Sequence, residues 1–364
     1  MKTRNVLFKL DIAGNGIVNY DTNDQKYVHN DAHTHLKSRY NNTLYSKKNF
    51  YGEGDNLRFK IKISSDCLRH SLFDDELISQ SPKIISDKRA LYSFMASPMS
   101  VLRGYMFANK EETLKRSGGF HIIDAEQTND AFSYMELFSK SGERVSKELT
   151  TDTSDTSLFF KETVGNITYA TQGSVDLRQL QFISCDQVYD RYSFNPDPVN
   201  FDLYKKFMRL RLKNFNSNLE YYQLINFKSP DEPVMDIPEF GFKFSNENVN
   251  DLVKYMVEKL LLLNIERSKS FARKSKLMIK FVTDPLIHTF ESENDWVEVN
   301  SMNDVNNISF EMEDFYSLVD RSIAETKRNK IEQVISDKKK ETSDKKKEAD
   351  KLKKEKKENE VSNS

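Results

Sequence analysis

Cysteine is nearly missing from this 364-residue chain: Cys67 and Cys185 are the only two. They sit beside apolar neighbours and form no metal-like spacing, so they read as reduced core thiols of a cytosolic protein. Long apolar runs are missing as well. The longest aliphatic stretch, Leu260 to Leu263, falls far short of the ~20 residues a membrane span needs. The early run Val6-Leu7-Phe8 is broken at once by Lys9 and Asp11, which argues against a secretory signal. A cytoplasmic protein with no membrane partner is therefore expected. Catalytic signatures are absent too: there is no Gly-x-x-x-x-Gly-Lys loop, no Gly-x-Ser-x-Gly elbow and no Cys-x-x-Cys pair. No acidic pair stands in an apolar setting that would tune a general acid. These absences give no support to an enzyme.

Apolar residues make up 37% and aromatic residues 12%, which suits a globular core with extended surface loops. Charge is distributed unevenly. Residues 327–364 hold 14 Lys/Arg against 9 Asp/Glu, or +5, leaving the remainder at 41 against 47, or −6. A simple nucleic-acid coat would be basic, so a body that binds RNA must segregate its cations onto one face. The tail carries the triplets Lys338-Lys339-Lys340 and Lys345-Lys346-Lys347 and has almost nothing apolar to bury. It reads as a disordered or solvated segment, and a nucleic-acid-touching arm is the alternative.

Upstream of the tail the pattern is mixed α and β. Val6–Ile12 predicts a first strand, Gly14-Asn15-Gly16 a turn, and Ile17-Val18 a strand-like continuation. Residues 21–56 are polar and predict an excursion from the core, as does the span 110–170. Leu57, Phe59, Ile61 and Ile63 alternate onto one face of a strand. Ser64-Ser65-Asp66 offers helix caps before Cys67–Phe73. Met99–Phe107 and Asp176–Ser184 read as buried elements. Val249, Leu252, Val253, Met256, Val257 and Leu260 predict an amphipathic helix, with a strand over Lys276–Val282. Strands interleaved with helices and long polar insertions suggest an α+β fold, and no internal repeat is found.

Arg58, Lys60 and Lys62 occupy the second face of the strand at 57–63. Alternate strand residues lie roughly 6.6 Å apart, close to the pitch of phosphates in an extended nucleic-acid strand, so these cations could track a backbone without reading sequence. An ordinary solvated strand face would look the same. The helix start at Ser64-Ser65-Asp66 could present free N–H groups to phosphate, with Arg69 adding a bidentate contact, or it could simply be capped. Arg267, Lys269, Arg273, Lys274, Lys276 and Lys280 form a basic stretch interleaved with Phe271, Leu277 and Met278. His29, His33, His35 and Asp31 form a small cluster whose spacing matches no strong metal motif.

Several blocks resemble the crRNA-binding backbone subunit of variant type I-F CRISPR systems, in the RAMP superfamily. Gly14-Asn15-Gly16-Ile17-Val18-Asn19-Tyr20 is similar to that family's Gly-x-Gly-Val-Val-Asn-Trp opening. Ile63-Ser64-Ser65-Asp66-Cys67-Leu68-Arg69-His70-Ser71-Leu72-Phe73 resembles its Ile-Ser-x-Asn-x-[Ile/Leu]-Arg-His-x-Leu-Phe block, with Asp66 where Asn is usual. Leu102-Arg103-Gly104-Tyr105 follows. The longest match runs from Ser157-Leu158-Phe159-Phe160 through Gly165–Tyr169 and Gly173–Ser184 to Asp190-Arg191. The blocks stand in order over roughly the first 190 residues, and the likeness thins beyond Pro196.

The resemblance implies an RRM-like (ferredoxin-like) palm over 1–326 with finger, web and thumb excursions, followed by the flexible tail. It implies a non-enzymatic Cascade subunit without cofactor. Several copies would stack along the crRNA spacer, grip its phosphates and leave bases free to pair with target DNA. The partners would be crRNA, target DNA through it, further copies of the chain, a wing subunit and a crRNA-processing endonuclease. RNP-type aromatic motifs are absent, so the palm is not a conventional RRM reader. By position the resemblance points first to Arg69 and His70, then to Arg103 and Arg178, then to Lys60 and Lys62. Arg267, Arg273, Lys274 and Lys276 are candidates from charge alone. The role expected of all ten is phosphate and ribose contact. Two alternatives stand beside this one. One is a type III-like relative cleaving target RNA with Asp66 or Asp31 and a divalent metal. The other is a mimic from a mobile element that enters a host complex.

Overall fold

The computed structural model describes residues 2–21, 43–52, 56, 58–73, 87–108, 113–139, 158–186, 191–195, 198–212, 219–222, 225–229, 232–235, 239–267, 269–283 and 295–315, with single positions at 333, 337 and 340. Its centre is a nine-stranded antiparallel sheet. The strands are β1 (Asn5–Asn15), β2 (Lys48–Tyr51), β3 (Arg58–Ile63), β4 (Phe120–Ile122), β5 (Ala125–Gln127), β6 (Asn166–Asp176), β7 (Asn264–Arg267), β8 (Ser270–Val282) and β9 (Val297–Glu298). Their order is β7-β8-β1-β6-β5-β3-β2, with β4 also on β6 and β9 also on β8.

The period of two explains the layout of β1. Val6, Phe8, Leu10 and Ile12 are fully buried, while Lys9 is partly and Asp11 openly exposed on the other face. β1 pairs along its whole length with β6, from Asn5 opposite Asp176 to Asn15 opposite Asn166. On its other side it pairs with β8, where Asp11 opposes Lys276 but Ile12 opposes Lys274. Ser275 is thus an extra residue, a β-bulge. The strand expected at 6–12 therefore runs on through Gly14 and Asn15, and the chain turns at Gly16, whose φ is +73°. Ile17 and Val18 are buried, but in no strand.

Seven helices are described: α1 (Ser65–Leu72), α2 (Lys88–Met95), α3 (Pro98–Arg103), α4 (Leu177–Gln181), α5 (Pro198–Arg211), α6 (Asn246–Leu261) and α7 (Met302–Asn306). α6 is the helix that the 249–260 periodicity predicts. It starts at Ser245, whose side chain accepts from the Asn248 N–H, and buries Val249, Leu252, Val253, Met256, Val257 and Leu260. It packs on β8, α3, α4 and α7, closing one face of the sheet. The core beneath is rich in aromatic residues. Phe8 and Phe120 stack at 5.6 Å, and Phe194 meets Tyr92, Phe201, Tyr204 and Phe242 at 4.5–5.6 Å.

Several sequence expectations shift in detail. Met99–Phe107 is not one element: α3 ends at Gly104, whose φ of +81° lets the chain break sharply into the strand Gly104–Ala108. Asp176–Ser184 likewise divides into the end of β6, α4 and the strand Phe182–Ser184. In β3, Ile61 and Ile63 are buried but Phe59 is 49% exposed, because the strand's outer half runs beyond the core. Leu57 lies outside the described residues. The span 110–170 is not all excursion, since it supplies β4, β5 and the start of β6 to the principal sheet. The rest of its described strands include Ser133–Ser139 and Leu158–Val164, which form a four-stranded sheet with Thr43–Ser46 and Tyr20–Asp21. Of residues 21–56, the described part forms strands. The histidine cluster at 29–35 and the tail, apart from single positions, lie outside the described residues.

Candidate nucleic-acid interface

α1 is built as its sequence predicts, and its first turn is closed. The Ser64 hydroxyl accepts from the Cys67 N–H at 3.4 Å, and the Ser65 N–H donates to Asp124 Oδ1 at 2.7 Å. Asn19 Nδ2 fixes the Ser64 hydroxyl at 3.0 Å. Two first-turn amides expected to be open to phosphate are therefore spent on caps.

The cations near α1 tell a different story. Arg69 lies one turn along from Asp66 and forms an ion pair with it, while its Nε is buried without a hydrogen-bond partner. Arg103, at the end of α3, is near enough to feel both. Burial first, and the Arg69 charge second, lower the Arg103 pKa, with Asp66 acting the other way. Arg267 at the end of β7 and Lys47 before β2 both lie within electrostatic reach of Cys67. Burial raises that thiol's pKa, and these two charges pull it down. Lys161 shows the same crowding: burial and the Lys269 charge lower its pKa, Glu136 opposes them, and its ammonium stands 4.7 Å over the Tyr20 ring. Like charges held this close repel, and an anion placed among them relieves the cost. This is the segregation of cations that an acidic body needs.

The structure brings together only some of the expected residues. Arg69, Arg103 and Arg267 gather around α1, and His70 is exposed on its last turn. Lys62 is committed to Asp124 at 2.8 Å, whereas Lys60 is exposed with its ammonium 5.9 Å from the Tyr51 ring. The stretch 267–280 is not one patch. Arg273 is paired with Glu266 at 2.8 Å and lies 5.2 Å from the Phe271 ring. The bulge at Ser275 then puts Lys276 beside Asp11 on the outer face and Lys274 beside Ile12 on the inner one. Arg178, at the start of α4, lies just past Asp176, which opposes Asn5. That is the far end of β1 from Gly16, about 33 Å away at strand rise.

Sequence reasoning missed Arg116. It is 6% exposed and donates to the Gln179 carbonyl at 2.8 Å and to the Val101 carbonyl, tying α3 to α4. Lys47 and Lys161 were also missed, the first because it stands in a polar run and the second because its strand neighbours are aromatic. Asp66, the candidate metal ligand of the cleaving alternative, is engaged with Arg69. Asp31 lies outside the described residues.

A family model described as type I-Fv CRISPR-associated protein Cas7fv-like matches residues 3–312. The chain belongs to that family. The match covers every described element from β1 to α7, including Arg69, Arg103, Lys161 and Arg267. No curated protein matches this Cas7fv-like chain significantly. Among solved structures, one described as a CRISPR RNA-guided surveillance complex is similar at 7% identity and a TM-score of 0.34, covering 76% of this chain and 68% of that one. A second, described as a CRISPR RNA-guided surveillance complex, pre-nicking, is similar at 10% identity and a TM-score of 0.36, covering 76% and 75%. No described helix is long and apolar enough to cross a membrane.

Proposed function

We propose that this Cas7fv-like protein is the non-catalytic backbone subunit of a Cascade-type complex. In this reading several copies line a crRNA, hold its phosphates at the cations around α1, and leave its bases to pair with target DNA. The crowding of Arg69 against Arg103, and of Lys161 against Lys269, carries the reading. Such sites are costly when empty and favourable around a polyanion. Family membership supplies the CRISPR context, and the acidic remainder of the body leaves other surfaces for neighbouring copies, a wing subunit and a processing endonuclease. Arg178 and the outer cations Arg273 and Lys276 stand apart from this cluster, and in this reading they make secondary contacts.

Co-purification from cells expressing the protein, its neighbouring gene products and a CRISPR array tests this. The expected result is discrete guide-length RNA in a particle whose mass gives several copies per guide and collapses after nuclease. A monomer free of RNA with those partners present would refute it.

A further inference from the structure

Where β2, β3 and β5 meet, the sheet edge leaves an open pocket of about 650 Å³. Most polar groups lining it are already engaged. Asp124 accepts from Lys62 Nζ and the Ser65 N–H. Gln127 accepts from the Ile61 N–H and donates to the Asn129 and Ala131 carbonyls. The Thr128 hydroxyl pairs with that of Thr168. Glu126 uses Oε1 for both Asn49 and the Tyr51 hydroxyl. The carboxylate oxygen Oε2, the Lys60 ammonium and the apolar surface of Ile123, itself 56% exposed, remain to meet a ligand.

Tyr51 stands at the rim. Its hydroxyl is anchored by Glu126 and its ring lies 5.9 Å from Lys60, yet it is 43% exposed. An aromatic ring held still at the exposed edge of a sheet, with cations beside it and an apolar floor below, is a stacking platform. Arg58, directly opposite Tyr51 in the hairpin, and Lys60 give it a positive setting that suits phosphate rather than an acidic or apolar partner.

We infer that this pocket takes a single unpaired nucleobase. The base stacks on Tyr51, a ring N–H or amine donates to Glu126 Oε2, and the adjoining phosphate meets Lys60. Every RNA base carries an N–H donor on its pairing edge, so the pocket tolerates any sequence. The inference deepens the RNA-binding reading and rests on it only for the identity of the strand.

The test compares binding by the full chain of a single-stranded RNA and an otherwise identical strand whose bases are removed. The wild type should prefer the base-bearing strand by at least about tenfold, the scale of one base–aromatic stack. Tyr51→Ala should abolish that preference without changing affinity for the abasic strand, and Tyr51→Phe should keep it. Arg69→Ala with Arg103→Ala should weaken both strands equally. Equal affinity of the wild type for the two strands overturns the inference. So does a preference that survives Tyr51→Ala but falls with Phe59→Ala. If the arginine variants bind normally while the Tyr51-dependent preference persists, the pocket stands and the proposed phosphate grip fails. Binding of neither strand overturns both.

Discussion

Replacing Glu162 by alanine should destabilise the protein more than any surface substitution. Glu162 is buried in the strand Leu158–Val164, and its carboxylate accepts from the Ser46 N–H at 2.9 Å, the Ser46 hydroxyl at 2.7 Å and Lys48 Nζ at 2.7 Å. The two side chains of the ion pair are only 8% and 5% exposed. Removing the carboxylate leaves an uncompensated buried ammonium and two orphaned Ser46 groups. Breaking a buried pair from one side costs roughly 3–5 kcal/mol. With a denaturant slope of about 2–3 kcal/mol per molar urea, the unfolding midpoint should fall by about 1–2 M. Replacing both partners, Glu162→Leu with Lys48→Met, should recover much of the loss, because a whole buried pair is often exchangeable for apolar packing. Burial pushes the Glu162 pKa up, but Lys48 and Ser46 outweigh it and hold the group below its ordinary 4.5. Its contribution is then complete above pH 4.5 and disappears as the pH drops through the folded value. Equilibrium unfolding in urea at pH 7 and at lower pH reads all of this. A single-variant loss under about 1 kcal/mol, or an acid-stability profile unchanged by Glu162→Ala, would refute the reasoning.

Gly104→Ala should cost at least about 1–2 kcal/mol by thermal or urea unfolding, since φ is +81° and a Cβ would stand 2.4 Å from the Arg116 carbonyl. Arg116→Met should cost about 2–4 kcal/mol, because the α3 and α4 carbonyls it holds are left without donors; unfolding midpoints check it. Asp124→Asn should loosen α1 by about 1 kcal/mol, visible as faster amide exchange at Ser65. The Asp124 pKa, raised by burial but lowered more by Lys62 and Ser65, puts this contribution above its ordinary pKa and removes it in acid. Arg69→Ala should reduce the slope of log affinity for single-stranded RNA against log salt by about 0.7, as expected when one fewer phosphate is neutralised; an unchanged slope would remove Arg69 from the interface.

Local pattern made the principal elements legible. The alternation in β1 and the four-residue spacing in α6 are decided by burial on one face, which a sequence displays directly. The β3 alternation misled at Phe59 because period two says which residues share a face, not whether the core extends that far. The basic stretch at 267–280 misled for a related reason: one bulged residue, Ser275, redistributes its cations over two faces, and no composition signal marks a bulge. Arg69, Arg103 and Arg267 could be nominated singly, but their convergence is set by the packing of α1, α3 and β7, far apart in the chain. Lys161 and Arg116 gave no sequence signal at all, since a buried cation looks like any other until its partners are known.

Glu162 has a mechanical consequence as well. The chain passes from Thr43–Ser46 in the smaller sheet to β2 in the principal one through Lys47 alone, and from Leu158–Val164 to β6 through Gly165 alone. Glu162 fastens both crossings, since it holds Ser46 on one side and Lys48 on the other. With one-residue joints and a buried rivet between them there is no hinge. A force applied to the smaller sheet is delivered undamped to the edge that carries Tyr51 and Lys60, so the two sheets act as one lever.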